Sequence, residues 1–360
     1  MNNLLTIPPL SLYIHYPWCL KKCPYCDFNS HEGEVKTGYI NALIEDLEGD
    51  LKYVQNRAIE SIFIGGGTPS LMSTEDANDL IDGLKERLTF SDNVEITMEA
   101  NPGTFEVEKF AEFRNIGINR LSIGVQSFED RQLKFLGRVH SSNEAINAIT
   151  EAQRVGFKNL NIDLMYGLNG QSIDMCIEDL NKAIELNPSH ISFYQLTLEP
   201  NTLFSKFPPR LPSEEVIWEM GEKGANLLNK KGFRQYEVSA YSTTPSIHNL
   251  NYWTFGDYIG IGAGAHGKIT DMNTHQIFRT LKLKSPNEYL LSFKKNKKTS
   301  RKKMVDSLSF EFMLNGLRLI DGFDSGLYES RTGLSIESVR SQIIKAEKRK
   351  KDYFSQRRPA

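Results

Sequence analysis

Three cysteines within eight residues, Cys19, Cys23 and Cys26, carry the most distinctive chemistry in this chain. They stand in Trp-Cys-Leu-Lys-Lys-Cys-Pro-Tyr-Cys, a C-x3-C-x2-C spacing that follows directly on the apolar run Leu10 to Tyr16. Three thiolates can hold three irons of a four-iron, four-sulfur cluster and leave the fourth iron open. An open iron takes a small chelating ligand, and the amino-carboxylate end of S-adenosylmethionine (SAM) meets that need. Two plainer readings compete. Tetrahedral zinc needs a fourth ligand, for which His31 is the candidate, but the spacing is not that of a finger or ribbon. A disulfide pair would leave one thiol over, and no secretory signal points to an oxidising compartment. The fourth cysteine, Cys176, lies in an amphipathic stretch and reads as a small core residue.

Reactive or permissive residues recur at the ends of the apolar runs that follow. One run leads into Gly65-Gly66-Gly67-Thr68, where glycines would let backbone N–H groups approach a ligand; a tight turn is the simpler account. The next ends in Glu99-Ala100-Asn101-Pro102, another in Gln126 with Arg138 shortly after, and another presents Asp163. Arginine pairs a carboxylate bidentately, and acidic side chains accept from ammonium or ribose hydroxyls. Structural ion pairing would explain any one of Glu99, Arg138 and Asp163. Together with Gln126 they suit a zwitterionic ligand bearing a ribose diol.

The elements that must position these residues alternate regularly. Strands are expected at Ser11 to Tyr16, Ser61 to Gly65, Val94 to Ala100, Arg120 to Val125, Asn159 to Met165 and His190 to Leu198. Amphipathic helices are expected between them at Lys36 to Val54, Thr74 to Leu88, Asn143 to Val155 and Ile173 to Glu185. Such alternation means an α/β fold with a parallel sheet, and chemistry at the strand C-terminal ends points to an incomplete parallel (β/α)6-type barrel. A doubly wound sheet fits less well. A further helix is expected at Glu214 to Lys231, then a strand at Gln235 to Ser242. After them come a loop, His248-Asn249-Leu250-Asn251-Tyr252-Trp253, and a glycine-rich stretch over residues 260–267. This divides the chain into a core barrel over 1–240, a segment over 241–285, a smaller α-rich C-terminal domain over 286–345, and a basic tail over 346–360.

Composition sets the bounds. The 360 residues are 39% hydrophobic and 24% charged, as in an ordinary globular protein. The net charge of −2 gives no global pull toward nucleic acid or membrane. No run is long enough to span a bilayer, and Met1 to Pro9 lacks a signal peptide's features, so the expected location is cytoplasmic. Between Lys282 and Lys303 stand nine Lys/Arg against one Glu. A solvated face is the usual meaning; a peripheral contact with anionic lipid is the sharper one.

The ordered set of Tyr13, the cysteine triad, the Gly-Gly-Gly-Thr-Pro turn, Glu-x-Asn-Pro, Gly-Val-Gln-Ser-Phe and Leu-Gly-Arg-x-His resembles the coproporphyrinogen-dehydrogenase-like branch of the radical SAM superfamily, over roughly residues 10–330. The resemblance implies a [4Fe-4S] cluster on Cys19, Cys23 and Cys26. It also implies SAM contacts from Tyr13, Tyr25, Gly66, Gly67, Thr68, Glu99, Gln126, Arg138 and Asp163. Two places separate the branches. The oxygen-independent dehydrogenases carry a further cysteine two residues after the third, where this chain has Phe28; and His248 to Trp253 is similar to the His-Asn-x-x-Tyr-Trp signature of heme chaperones. A loop histidine can be an axial ligand of heme iron, and Tyr252 and Trp253 offer flat apolar area beside a porphyrin.

Three functions are therefore expected to compete. The first is a heme chaperone that binds heme through His248 and delivers it to an acceptor such as a respiratory membrane protein, without coproporphyrinogen oxidase activity. The second is a radical SAM oxidoreductase of the coproporphyrinogen III dehydrogenase type. The third is a redox sensor. Heme, an acceptor protein, a second copy of the chain and a membrane surface are the partners to test; no motif supports nucleic acid. The chain departs from its relatives at the end, where the stretch from Glu347 to Ala360 lacks apolar periodicity and is expected to fray.

Overall fold

The computed structural model describes residues 4–295 and 300–356. Six parallel strands form its centre: β1 (Leu10–Tyr16), β2 (Ile59–Gly66), β3 (Phe90–Ala100), β4 (Arg120–Gln126), β5 (Asn159–Tyr166) and β6 (His190–Gln195), adjacent in that order. Period-two alternation runs through them. Leu12, Ile14, Ile62, Ile64, Ile96, Met98, Leu121, Ile123, Leu160, Ile162 and Ile191 face one way and join the main apolar core. Phe63, Glu99, Arg120, Ser122, Asn161, Asp163, Ser192 and Tyr194 face the other way and line a polar hollow. The outer face is covered by α1 (Tyr39–Asp50), α2 (Thr74–Lys85), α3 (Phe110–Ile116), α5 (Ser142–Arg154) and α6 (Ile173–Glu185), while the short α4 (Asp130–Phe135) packs its Phe135 against Tyr25 and Phe204 beside the thiol loop. Serines start several of these: Ser73, Ser141 and Ser172 each accept from a first-turn N–H, and Ser141 completes a capping box with Glu144.

The expected incomplete barrel is what forms. After α7 (Glu214–Lys230), the strand expected at Gln235 to Ser242 is instead a hairpin, β7 (Arg234–Glu237) and β8 (Ala240–Ser242), with β8 antiparallel to β6. The loop expected at 248–253 is a helix, α8 (Ile247–Trp253). Its start is held by a local serine cap together with tertiary contacts that the sequence does not announce. Ser246 caps it, and the buried Glu95 carboxylate accepts from Ser246 Oγ (2.9 Å) and from the N–H groups of Ile247 and His248 (both 3.1 Å).

The chain then returns to the other edge of the sheet. Strand β9 (Asp257–Ile261) pairs parallel with β1, and β10 (His266–Asp271), β11 (Gln276–Lys282) and β12 (Ser300–Met304) extend it antiparallel into one twelve-stranded sheet. The sheet thus crosses the divisions drawn at 240/241 and 285/286. Helices α9 (Pro286–Lys294), α10 (Leu308–Gly316) and α11 (Ser325–Thr332) supply the smaller α-rich part. The stretch from Glu347 expected to fray starts within α12 (Arg340–Gln356), whose residues 341–349 are all exposed; residues 357–360 lie outside the described residues. Within the basic run, Lys282 is buried and residues 296–299 lie outside the described residues. Among the described residues no helix is long and apolar enough to cross a membrane.

Candidate functional site

The loop after β1 carries all three thiols into one cleft of about 490 Å3, at the C-terminal ends of the parallel strands. Cys19 Sγ lies 3.7 Å from the His31 carbonyl, Cys26 Sγ 3.7 Å from Ser30 Oγ, and Arg138 Nη1 donates toward Cys23 Sγ at 3.6 Å. All are free thiols. Burial, with the neighbouring Cys26 adding, pushes Cys19 up to about 11, and burial also raises Cys26. These groups become thiolates readily only against a cationic partner. Among the described residues no three His, Cys, Asp or Glu side chains are spaced to share a single metal ion. A cluster makes a different demand, one thiolate on each of three irons, and three soft donors in one cleft fit it.

The residues expected to hold SAM converge on the same cleft, with one exception. Tyr25, Gly66, Gly67, Thr68, Glu99, Gln126, Arg138 and Asp163 all line it. Tyr13 does not. Its hydroxyl is taken by His15 Nδ1 (2.9 Å), and the Phe63 ring stacks on it at 6.3 Å between centroids; Phe63 itself lines the cleft.

Of the two accounts of the glycine turn, N–H groups aimed at a ligand or a tight turn, the bonding fits the second. Gly66 N–H donates to Glu99 Oε2 (2.9 Å), Gly67 N–H to the Tyr16 carbonyl and Thr68 N–H to the Trp18 carbonyl (both 2.7 Å). The turn therefore locks the thiol loop against β3. Gly66 has a φ of +117°, and a Cβ there would meet the His15 ring at 2.5 Å, so only glycine fits.

Charge in the cleft is arranged in layers. Burial raises Glu99 to about 7, with Asp163 adding and the Gly66 N–H opposing. Burial also raises Asp163, which accepts from Asn161 Nδ2 (2.7 Å) and Ser122 Oγ (3.3 Å). Arg138 Nη2 reaches Asn101 Oδ1 (2.5 Å) and the Gly124 carbonyl (2.7 Å), while its Nε is buried without an acceptor. Gln126 adopts a left-handed φ of +73° where the β4–β5 register breaks, and its Oε1 accepts from Tyr194 OH at 2.7 Å. Ammonium, carboxylate and hydroxyl functions each have a matching group here, so the residues present fit SAM.

Asn101 and Tyr194 escaped the sequence reading as site residues. Asn101 stood inside the quoted Glu-x-Asn-Pro, and Tyr194 shares Ser192's face by alternation on β6.

His248 lies elsewhere. It sits on α8 rather than a loop, at the opposite end of the strands from the thiols: it contacts Ser61, four residues before Gly65, or about 13 Å along β2. The ring is 1% exposed, packed between Phe63 (5.1 Å) and Tyr252 (4.7 Å). Nδ1 is bonded to Ser61 Oγ (2.9 Å), and Nε2 is buried without a partner. Burial, helped by Arg120, lowers it to about 3, so the imidazole is neutral. A neutral ring with one nitrogen tied and one orphaned has the electronic form of a metal ligand, but Phe63 and Tyr252 cover it. Trp253 lines part of the cleft, and a second cavity of about 220 Å3 is lined by Tyr252, Trp253 and Tyr258.

Residues 13–183 match the Radical SAM superfamily. The chain is 47% identical over 348 residues to "Heme chaperone HemW" of Escherichia coli, covering 95% of this chain and 91% of that protein. The protein of the same name from Bacillus subtilis is 33% identical, covering 93% and 90%. Among solved structures, the coproporphyrinogen III oxidase HemN of Escherichia coli superimposes with a TM-score of 0.77 at 22% identity, covering 91% of this chain and 80% of that one, a likeness of fold. With a thiol triad, a polar barrel interior and this extent of identity, the chain belongs to the heme chaperone HemW family of the radical SAM superfamily.

Proposed function

We propose that this protein is a heme chaperone of the cytoplasm, which binds heme and passes it to an acceptor hemoprotein. On this reading Cys19, Cys23 and Cys26 hold a [4Fe-4S] cluster whose open iron takes SAM. The observation that carries the reading is near-complete coverage at 47% identity by relatives named for heme chaperoning, in a chain with Phe28 where the dehydrogenases have a cysteine. The cluster supplies an electron and a coordination site when bound. The chain's own groups do the rest: Arg138 offers its guanidinium to a carboxylate, Glu99 and Thr68 offer oxygen to an ammonium, and Gln126 and Asp163 face a ribose. His248 offers Nε2 to heme iron once Phe63 or Tyr252 moves aside.

Hemin titration tests this. The wild type should develop a Soret band, and His248→Ala should weaken binding about tenfold or more. An unchanged titration removes His248 from the site, and no band in the wild type withdraws the heme reading. A second reading, radical oxidation of a porphyrinogen, is favoured by the SAM-type residues gathered beside the thiols. It requires 5′-deoxyadenosine and protoporphyrinogen from coproporphyrinogen III under reducing, anaerobic conditions.

A further inference from the structure

The glycine-rich residues 260–267 line no part of the cleft, yet two of them, Ala263 and Gly264, lie against the loop that carries the thiols. The contact is made by Asn29, three residues beyond Cys26. Its side-chain amide donates both protons across the gap, to the carbonyls of Ala263 and Lys284 at 2.9 Å each. Its own carbonyl accepts from His15 Nε2 at 3.0 Å. Gly264 comes so close that a Cβ would stand 2.3 Å from Asn29 Nδ2, and its φ is +83°. Gly264 N–H is in turn fixed to the Leu283 carbonyl (2.8 Å), and Lys282 N–H to Ala265 (2.9 Å). From the opposite flank Lys22 Nζ donates to the carbonyls of Phe28 (3.0 Å) and Ser30 (3.2 Å).

The loop has little regular structure of its own. A two-residue ribbon, Trp18–Cys19 against His31–Glu32, is its whole ladder. Something else must fix where the Cys26 thiol stands, since ordering a loop during metal capture costs free energy that a pre-ordered loop does not. We propose that Asn29 is a positioning residue for the metal centre: by seating the turn after Cys26 on the glycine-rich connection of β9 to β10, it sets the Cys26 thiol relative to Cys19 and Cys23. The inference rests on the reading that these cysteines hold the cluster. It gives the glycine-rich stretch a task, which is to let the loop come close rather than to cradle a ligand.

The test compares the wild-type chain with Asn29→Ala, Asn29→Ser and Gly264→Ala. Each is reconstituted anaerobically with iron and sulfide, and read by iron content, by EPR of the reduced cluster with and without SAM, and by loss of iron to a chelator. Asn29→Ala and Gly264→Ala should lose iron about tenfold faster than wild type and blunt the SAM-dependent EPR change; the melting temperature of Asn29→Ala should stay close to wild type, while the strained Gly264→Ala should also melt lower. Asn29→Ser keeps one donor and should fall between; it carries the test if the alanine variant does not fold. Wild-type iron retention and an unaltered EPR response in Asn29→Ala overturn the assignment, as does a lowered melting temperature with normal cluster behaviour. A wild-type chain that assembles no [4Fe-4S] cluster overturns the underlying reading instead.

Discussion

Glu99 shows how one residue joins fold and site. It is the partner of the Gly66 N–H and a wall of the cleft, and burial holds its carboxyl at about 7. The folded chain therefore keeps a proton that the unfolded chain gives up near pH 4.5. Stability from this group is fully present below about pH 4.5 and is lost as pH rises toward about 7. Glu99→Gln, a mimic of the protonated form, should flatten this part of the profile. It should gain on the order of 2 kcal/mol over wild type at pH 8, discounted for the water in the cleft, and little at pH 4. Urea unfolding at several pH values measures the difference, and parallel profiles for the two proteins would refute it. At this scale the sequence was a good guide wherever a side chain follows a strand end: the thiols, Glu99, Gln126, Arg138 and Asp163 all meet in one cleft. Tyr13 stands outside the lining of that cleft, with the ring of Phe63, distant in sequence, stacked on it.

Helix α8 is the element that the sequence could not declare. Asn249, Asn251 and the aromatic residues are indifferent helix formers, and seven residues form no stable helix alone. What stabilises α8 is Glu95, a residue some 150 positions earlier that accepts three of its hydrogen bonds and lies 4.0 Å from the buried Arg120 guanidinium. His248 to Ser61, and Ser61 to Ser11 (2.7 Å), continue the attachment into β2 and β1. Glu95→Ala should strand these donors and the Arg120 charge together, at a cost of about 3–5 kcal/mol. The loss should concentrate in α8, so hydrogen exchange at residues 247–253 should rise well above that of β1 or β4. Uniform acceleration across the sheet would mean that Glu95 supports the whole barrel rather than this helix. The strands, by contrast, were legible, because inward polar and outward apolar residues alternate along each of them.

The whole molecule is closed by charges buried far from the cleft. Lys282 on β11, 5% exposed, reaches Asp46 (2.5 Å) and Asp50 (2.7 Å) on α1, and Tyr289 OH on α9 donates to Asp46 at 2.8 Å. Burial alone would lower the lysine, but the two carboxylates override it and raise it. On β9, two strands away in the sheet, Asp257 binds both Lys268 (3.0 Å) and Arg57 (2.8 Å). These links fasten β9–β12 to the barrel, so the strands that close the sheet and those that bear the thiols should unfold together. Far-UV circular dichroism and tryptophan fluorescence should give coincident denaturation curves in the wild type. Lys282→Ala leaves two carboxylates buried side by side without their cation, and should cost about 3–5 kcal/mol at pH 8. Burial already raises Asp50, and losing the lysine raises it further, so protonation relieves the strain on acidification. The deficit of the variant should therefore shrink steadily as pH falls from 8 toward 5. A deficit that stays constant across that range would show that Lys282 acts by packing its chain rather than by its charge.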